Sequence, residues 1–302
     1  IIRNPARNMI QLRATIIGII VFFAIGFSYL TWDRNKDWEN SFTLFDDLVE
    51  KNPDHFHPYL IRGITHVQFG NREQALADYN KSISLNPNSA KAFANRASVK
   101  GMLGDYQGAL RDANRALEIM PGYENALNNR ATARIYLEDY SGALADIDAL
   151  LVKDSTRTDV LNKRIMIYEK TGDNEGLLDT YLKLISLEPA NYLHYGKAGE
   201  IYYRLDQNEK AIQYLSKAME MNRQYYQPLM LRGNAYYKTG QYKQALADFS
   251  RFAQITSDPS AYYNTGMSHM MLGEIPQACE SWQKALELGH NLAADRIREN
   301  CK

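Results

Sequence analysis

The chain has 302 residues, with 35 basic and 35 acidic side chains and a formal net charge of zero. That balance argues against a nucleic-acid binder, which carries a basic excess to displace counterions from phosphates. The length would allow two globular domains, Gly and Pro are ordinary in frequency, and no low-complexity run is present.

In chain order, the first feature is the start at Ile1 rather than Met, expected of a processed protein or the tail of a longer one. Residues 1–13 read as a cytoplasmic flank. Residues 14–32, "ATIIGIIVFFAIGFSYLTW", hold no charge. As a helix the stretch would span about 28 Å, close to the hydrocarbon thickness of a bilayer, with Tyr29 and Trp32 placed for an interfacial belt. A transmembrane helix in contact with lipid is the expectation. A buried soluble helix and a cleaved signal peptide are the alternatives, and no small-x-small cleavage site follows. Arg3, Arg7 and Arg13 precede the stretch without an acid, whereas Arg34 and Lys36 after it mix with Asp33, Asp37 and Glu39. The positive-inside rule then makes the N-terminus cytoplasmic and all that follows Trp32 extracytoplasmic, in a bacterium periplasmic.

Residues 33–55 read as a junction and half repeat, because "WENSFTLFDDLVEKNP" has the pattern of the second helix of the units that follow. Beyond it a period appears. Pro53, Pro87 and Pro121 recur at intervals of 34 residues, as do Gly70 and Gly104, then Gly172 and Gly240 at twice that interval. Ala75, Ala109 and Ala143 keep the same step, and Gly273 and Ala278 arrive one residue early. Such a period marks a repeat protein. Each unit holds two apolar-periodic stretches around a short turn such as "FGNRE", "LGDYQ" or "TGQYK".

These units resemble tetratricopeptide repeats, and "AFANRASVKGMLGDYQGALRDANRALEIMPG" matches the pattern almost throughout. The resemblance divides residues 56–292 into seven units: 56–89, 90–123, 124–157, 158–191, 192–225, 226–258 and 259–292. It implies an all-α fold, an α-solenoid of seven helix pairs in a right-handed superhelix. Each pair has too little core to fold alone, and stacking buries the seam. Small residues at Gly63, Ala97, Ala131 and Gly199 would let the two helices of a unit approach closely. Pro58, Pro228 and Pro276 fall in first turns, where a missing N–H costs little.

The units also act as their own alignment. Position 7 carries Arg62, Arg96, Arg130, Arg164 and Arg232, and position 23 carries Asp78, Asp112, Asp146 and Asp248. Units five and seven have neither residue, and unit four has Arg164 opposite Thr180. A salt bridge within each hairpin is the expectation; an arginine ladder for an anionic ligand is the alternative.

No active site is legible, so no catalytic residue and no cofactor is expected, and the chain reads as a non-enzyme. A Gly-rich phosphate loop and a G-x-S-x-G elbow are absent from the sequence. His55 and His57 could bind a metal but lack a third ligand nearby, which favours solvated loop histidines. Asp46 and Asp47 are consecutive on a helical pattern and point apart.

A binding surface remains. By resemblance to the family, unit positions 2, 5, 6, 9, 12 and 13 form the inner face. They hold Lys91, Asn95, Asn128, Asn129, Asn162 and Lys163 in the first half. In the second half they hold Lys197, Tyr203, Arg204, Asn234, Tyr237, Lys238 and Tyr263, with Met230, Met267 and Met270. Asn pairs with extended peptide backbone, and Tyr and Met give adaptable apolar contact. A protein or peptide partner is the expectation, against an ordinary solvated face. The reading is a membrane-anchored scaffold that supports assembly of a membrane complex. "RNKDWENSFTLFDDLVEKNP" has a second resemblance, to the junction of polytopic glycosyltransferases with a tetratricopeptide tail, carried by Arg34, Asn35, Asp37, Trp38, Leu44, Phe45 and Pro53. It implies, as the rival reading, an acceptor-presenting domain whose catalytic part is not in this chain.

Both cysteines lie at the end, Cys279 and Cys301. A final helix over about 291–300, within a capping segment 291–302, would fold back after Gly289. In an antiparallel hairpin residue 279 meets the neighbourhood of residue 300. A disulfide is therefore expected outside the cytoplasm, against two independent thiols.

Overall fold

The structure, a computed structural model, describes residues 23–25, 27, 28 and 41–301. The expected cytoplasmic flank, most of the expected membrane segment 14–32 and the junction up to residue 40 lie outside the described residues. Among the described residues, no helix is long and apolar enough to cross a membrane.

The described chain is an all-α repeat solenoid that divides into two compact units between Leu150 and Leu151. The first contains α1 (Ser41–Lys51), α2 (Phe56–Gln68), α3 (Arg72–Leu85), α4 (Ala90–Met102), α5 (Tyr106–Ile119), α6 (Glu124–Tyr136) and most of α7 (Tyr140–Lys153). The second contains α8 (Thr158–Thr171), α9 (Asn174–Leu187), α10 (Tyr192–Arg204), α11 (Asn208–Met221), α12 (Pro228–Lys238), α13 (Tyr242–Thr256), α14 (Pro259–Met271), α15 (Ile275–Glu287) and α16 (Leu292–Asn300). Within each unit, successive helices pack on one another. The half-repeat pattern is helical as α1, which packs on α2, and the final helix is α16, which packs on α15.

Local chemistry sets the helix ends. Side-chain oxygens of Ser89, Asp105, Asp173 and Asp258 accept the N–H groups of the first turns of α4, α5, α9 and α14, satisfying donors that have no partner within the helix. Pro228 and Pro259 occupy the first helical position, and α15 starts at Ile275, one residue before Pro276. His55, at the N-cap of α2, accepts the His57 N–H, so one histidine of the pair serves the backbone.

The turn inside each pair needs a left-handed residue, which glycine adopts without a steric cost. Gly70, Gly104, Gly172, Gly240 and Gly273 all have φ between 73° and 83°. The two gaps in the glycine series are filled by Glu138 at φ 62° and Asp206 at φ 57°. The turn geometry therefore persists where the sequence signal lapses.

The core is a row of small clusters rather than one centre. Around α4 and α5 it is built from alanine: Ala97, Ala109, Ala113 and Ala133 are buried together. Around α15 it is built on Trp282, buried with Ala278, Ala285 and Ala293. Trp282 fits because it faces Gly266, where a Cβ would sit 2.5 Å from the indole. The first helix of that pair thus gives up its side chain so that the second can carry the largest one.

Candidate functional site

The recurrent arginine is the best-defined polar feature. Arg62, Arg96, Arg130 and Arg232 each grip the aspartate 16 residues later in a two-pronged pair, at 2.7, 2.7, 2.6 and 2.7 Å. The hairpin salt bridge expected from sequence is present in those four units. The third guanidinium nitrogen reaches back 16 residues into the preceding helix: Arg62 to Asp46 at 2.8 Å, Arg96 to Asn80 at 2.8 Å, Arg130 to Asn114 at 3.1 Å and Arg232 to Ser216 at 2.8 Å. Each arginine therefore ties its own hairpin to the one before it. The aspartates are buried, and their charge is matched by a fork that saturates both oxygens. Hydrogen bonding to Asp78 raises the Arg62 pKa above its ordinary value against the opposing effect of burial. Burial also opposes the Arg232 charge, but the Asp248 pair outweighs it and raises its pKa. With donors directed at the protein itself, these arginines are not laid out as a ladder for a ligand. In the fourth unit Arg164 donates instead to the Tyr168 hydroxyl at 3.3 Å. Asp46 and Asp47 point apart as expected, Asp46 to Arg62 and Asp47 to Lys51.

The first helices of the pairs carry the residues expected to meet a partner. In the first unit, Lys91 is exposed and Asn95 and Asn128 are half-buried. Asn129 donates to the Ala94 carbonyl at 2.8 Å, which places it between α6 and α4 as a structural tie.

In the second unit, Asn162 is exposed and Lys163 half-buried. Burial pushes the Lys163 amine below its ordinary range, with Asp159 opposing and Arg157 adding to the shift. Lys197 and Arg204 both pair with Glu200 on the same helix. Lys238 bridges from α12 to Asp206 at 2.9 Å and lies 4.7 Å from the centre of the Tyr203 ring. Asn234 meets Asn264 of α14 at 3.5 Å. Tyr237 stands edge-on to Tyr242 at 5.2 Å, and burial raises its hydroxyl pKa, with Tyr242 adding to the shift.

Tyr263 is the residue whose surroundings differ most from the expectation of an open face. His290 stacks on its ring at 4.4 Å, and Arg296 of α16 donates to its hydroxyl at 3.3 Å. That hydrogen bond raises the Arg296 pKa, and the Arg296 charge is also felt at Tyr237. Met267 and Met270 pack against the Trp282 cluster, so their flexibility fills core gaps. Met230 is half-buried.

Cys279 and Cys301 are joined, with Cα atoms 5.8 Å apart. The bond holds the C-terminal end of α16 against α15, and Cys301 packs on the Trp282 cluster. No group of three or more potential metal ligands occurs among the described residues.

The family model for tetratricopeptide repeats matches residues 195–225 in one form, and residues 60–124 and 230–293 in another. Together these matches take in just over half of the chain. The chain is a tetratricopeptide-repeat protein. Solved structures similar to it include YrrB, a tetratricopeptide protein with an unusual peptide-binding site (TM-score 0.52, 21% identity), which covers 60% of this chain and 93% of its own. MamA from Desulfovibrio magneticus RS-1 is also similar (TM-score 0.50, 19% identity, 56% of this chain and 96% of its own). A chain of Naa15/Naa10 bound to HypK-THB aligns at TM-score 0.62 and 13% identity, over 80% of this chain and 39% of its own. At these identities the likeness shows the fold alone. No curated protein matches the chain.

Two residues of this tetratricopeptide face escaped the sequence reading. Arg296 belongs to a helix read only as a polar cap, and Asn264, although at inner-face position 6 of its unit, was not among the residues singled out. Their signal is three-dimensional, because each acts on a residue about 30 positions away in sequence.

Proposed function

We propose that this tetratricopeptide protein is a scaffold that binds a protein or peptide segment along the first helices of its second unit. The observation that carries the reading is the row Tyr203, Asn234, Tyr237 and Lys238, extended by Tyr263 and Arg296. Ring faces, an amide pair and two cations occur on α10, α12, α14 and α16. Aromatic faces take apolar side chains, and Asn both donates to and accepts from an extended backbone. The peptide-binding site of YrrB lends the reading support by analogy of fold. Within it, the periodicity supports seven repeats over 56–292, closed by a capping helix. In the first unit Lys91, Asn95 and Asn128 offer the corresponding polar positions.

The test is selection of peptides on the full chain, followed by capture with an Asn234→Ala/Tyr237→Ala variant. Binding should fall at least about tenfold, as for a truncated interface anchor, with the helical signal unchanged. Equal capture by the variant contradicts the reading.

The scaffold is further proposed to be membrane-anchored through residues 14–32 and extracytoplasmic, where it would support assembly of a membrane complex. The uncharged stretch and the all-basic flank support that placement, and a disulfide suits an oxidising compartment. A membrane-impermeant amine probe applied to intact cells should label the repeats. Labelling only after lysis contradicts it.

A further inference from the structure

Two clefts in the second unit lie away from the row of residues just described, on either side of α11. One, of about 280 Å³, runs from Ser216, Met219 and Glu220 across the α11–α12 loop to Leu229, Arg232 and Arg251. The other, of about 580 Å³, lies between Ile185, Tyr195 and the stripe Gln213, Ser216, Lys217 and Glu220 of α11. Ser216 and Glu220 line both clefts, one helical turn apart, so the two are halves of one groove that crosses the α11 surface.

The groove has apolar walls and a basic rim. Tyr195 and Tyr214 flank the larger half, and Tyr225, Tyr226 and the buried Leu229 flank the smaller. Arg232 is already committed to Asp248 and Ser216. Arg223, Arg251 and Lys217 differ: each is exposed and has no ion pair or hydrogen bond among the described residues. Glu220 is the only carboxylate lining either half. The groove thus combines aromatic walls with a local cationic excess, three unpaired cations against one acid.

We infer that this groove is a second docking surface, and that its occupant is an acidic peptide segment of a partner protein, carrying carboxylates around an apolar anchor. Charge complementarity selects the carboxylates, since three unpaired cations face one acid. The tyrosine walls select the anchor, because they offer ring faces to an apolar side chain. The volumes suit a few side chains rather than a folded domain. This surface is separate from the face proposed above and does not rest on it.

The experiment uses the full chain and a fluorescein-labelled peptide of about a dozen residues that alternates glutamate with leucine. Anisotropy should report saturable binding that weakens as salt rises, because the rim charges are exposed. R223E/R251E should weaken it about tenfold or more, and Asn234→Ala/Tyr237→Ala should leave it unchanged. The same peptide with lysine in place of glutamate should not bind the unaltered protein, a comparison that stands even if the charge-reversed variant fails to fold. The inference is overturned if the acidic peptide does not bind, if the lysine peptide binds equally well, or if R223E/R251E folds and binds as the parent does. It is also overturned if inorganic phosphate at equal concentration displaces the peptide fully, which would indicate a general anion site.

Discussion

Residues 90–150 and residues 192–288 build the same helix pairs by different means. In the first stretch the interior is mostly alanine, and the polar clasp is doubled. Asp112 takes Arg96 and also Lys100 at 2.8 Å, and Asp146 takes Arg130 and also Arg134 at 2.7 Å. In the second stretch the unit position of Lys100 and Arg134 holds Tyr202, Tyr236 and His269, and the one clasp, on Asp248, has a single cation. Volume replaces charge there, with Leu215, Phe249 and Trp282 fully buried. The difference teaches that the repeat needs a closed hairpin rather than a particular closure. An alanine seam brings helices close but buries little area, and a saturated ion cluster adds orientation. A large ring buries enough area to close the pair alone.

The sharpest way to break the comparison is Trp282→Ala. Removing a fully buried indole that faces Gly266 should cost about 3–5 kcal/mol, read as earlier urea unfolding of the second unit. A loss under about 1 kcal/mol would mean that ring volume does not close this pair.

Asp112→Ala comes next. It strands Arg96 and Lys100, both about four-fifths shielded from solvent, and should cost about 3 kcal/mol, the range for breaking a buried pair. Asp248→Ala, with one stranded cation, should cost less. A double-mutant cycle of Arg96→Ala with Asp112→Ala should show clear coupling, because the aspartate is only 6% exposed; an exposed pair would show little. Equal losses at Asp112 and Asp248 would remove the doubled clasp from the account.

Reduction of Cys279–Cys301, which closes a loop of 22 residues, should cost about 3 kcal/mol in the chain-entropy view. Hydrogen exchange should rise first in α16. Uniform exchange along the second unit would contradict a local clasp.

The smallest expected effect is a gain. Glu138→Gly and Asp206→Gly relieve a left-handed residue that costs about 1–2 kcal/mol when it is not glycine, less the extra freedom of glycine in the unfolded chain. The net should be about 0.5–1 kcal/mol of added stability for Glu138→Gly. Asp206→Gly should gain less, because it also removes the bridge to Lys238. No gain at either site would mean that the turn carries no strain.

Much of the hairpin was legible before the fold, because the repeats align with one another. Arg at position 7 and Asp at position 23 occur or lapse together in every unit but the fourth, and a pair that varies jointly across units is a pair in space. The other arm of the same arginine was not legible. Its acceptors are Asp46, Asn80, Asn114 and Ser216, three residue types that share only an oxygen. The candidate face was legible as positions but not as surroundings. Asn129 bonds to a backbone carbonyl and Tyr263 lies under His290 and Arg296, contacts that no period within a unit encodes. The groove along α11 left no periodic trace, because its walls come from helices that differ from unit to unit.

The central claim is that the first helices of the second unit are the partner surface. A photo-crosslinking residue placed at Tyr237 of the full chain, in the cells that make it, tests this most directly, with the same residue at Arg115 on α5 as the comparison. The account predicts a discrete crosslinked product from position 237 that a selected peptide competes away, and none from position 115. A competed product from position 115 with none from position 237 would contradict it.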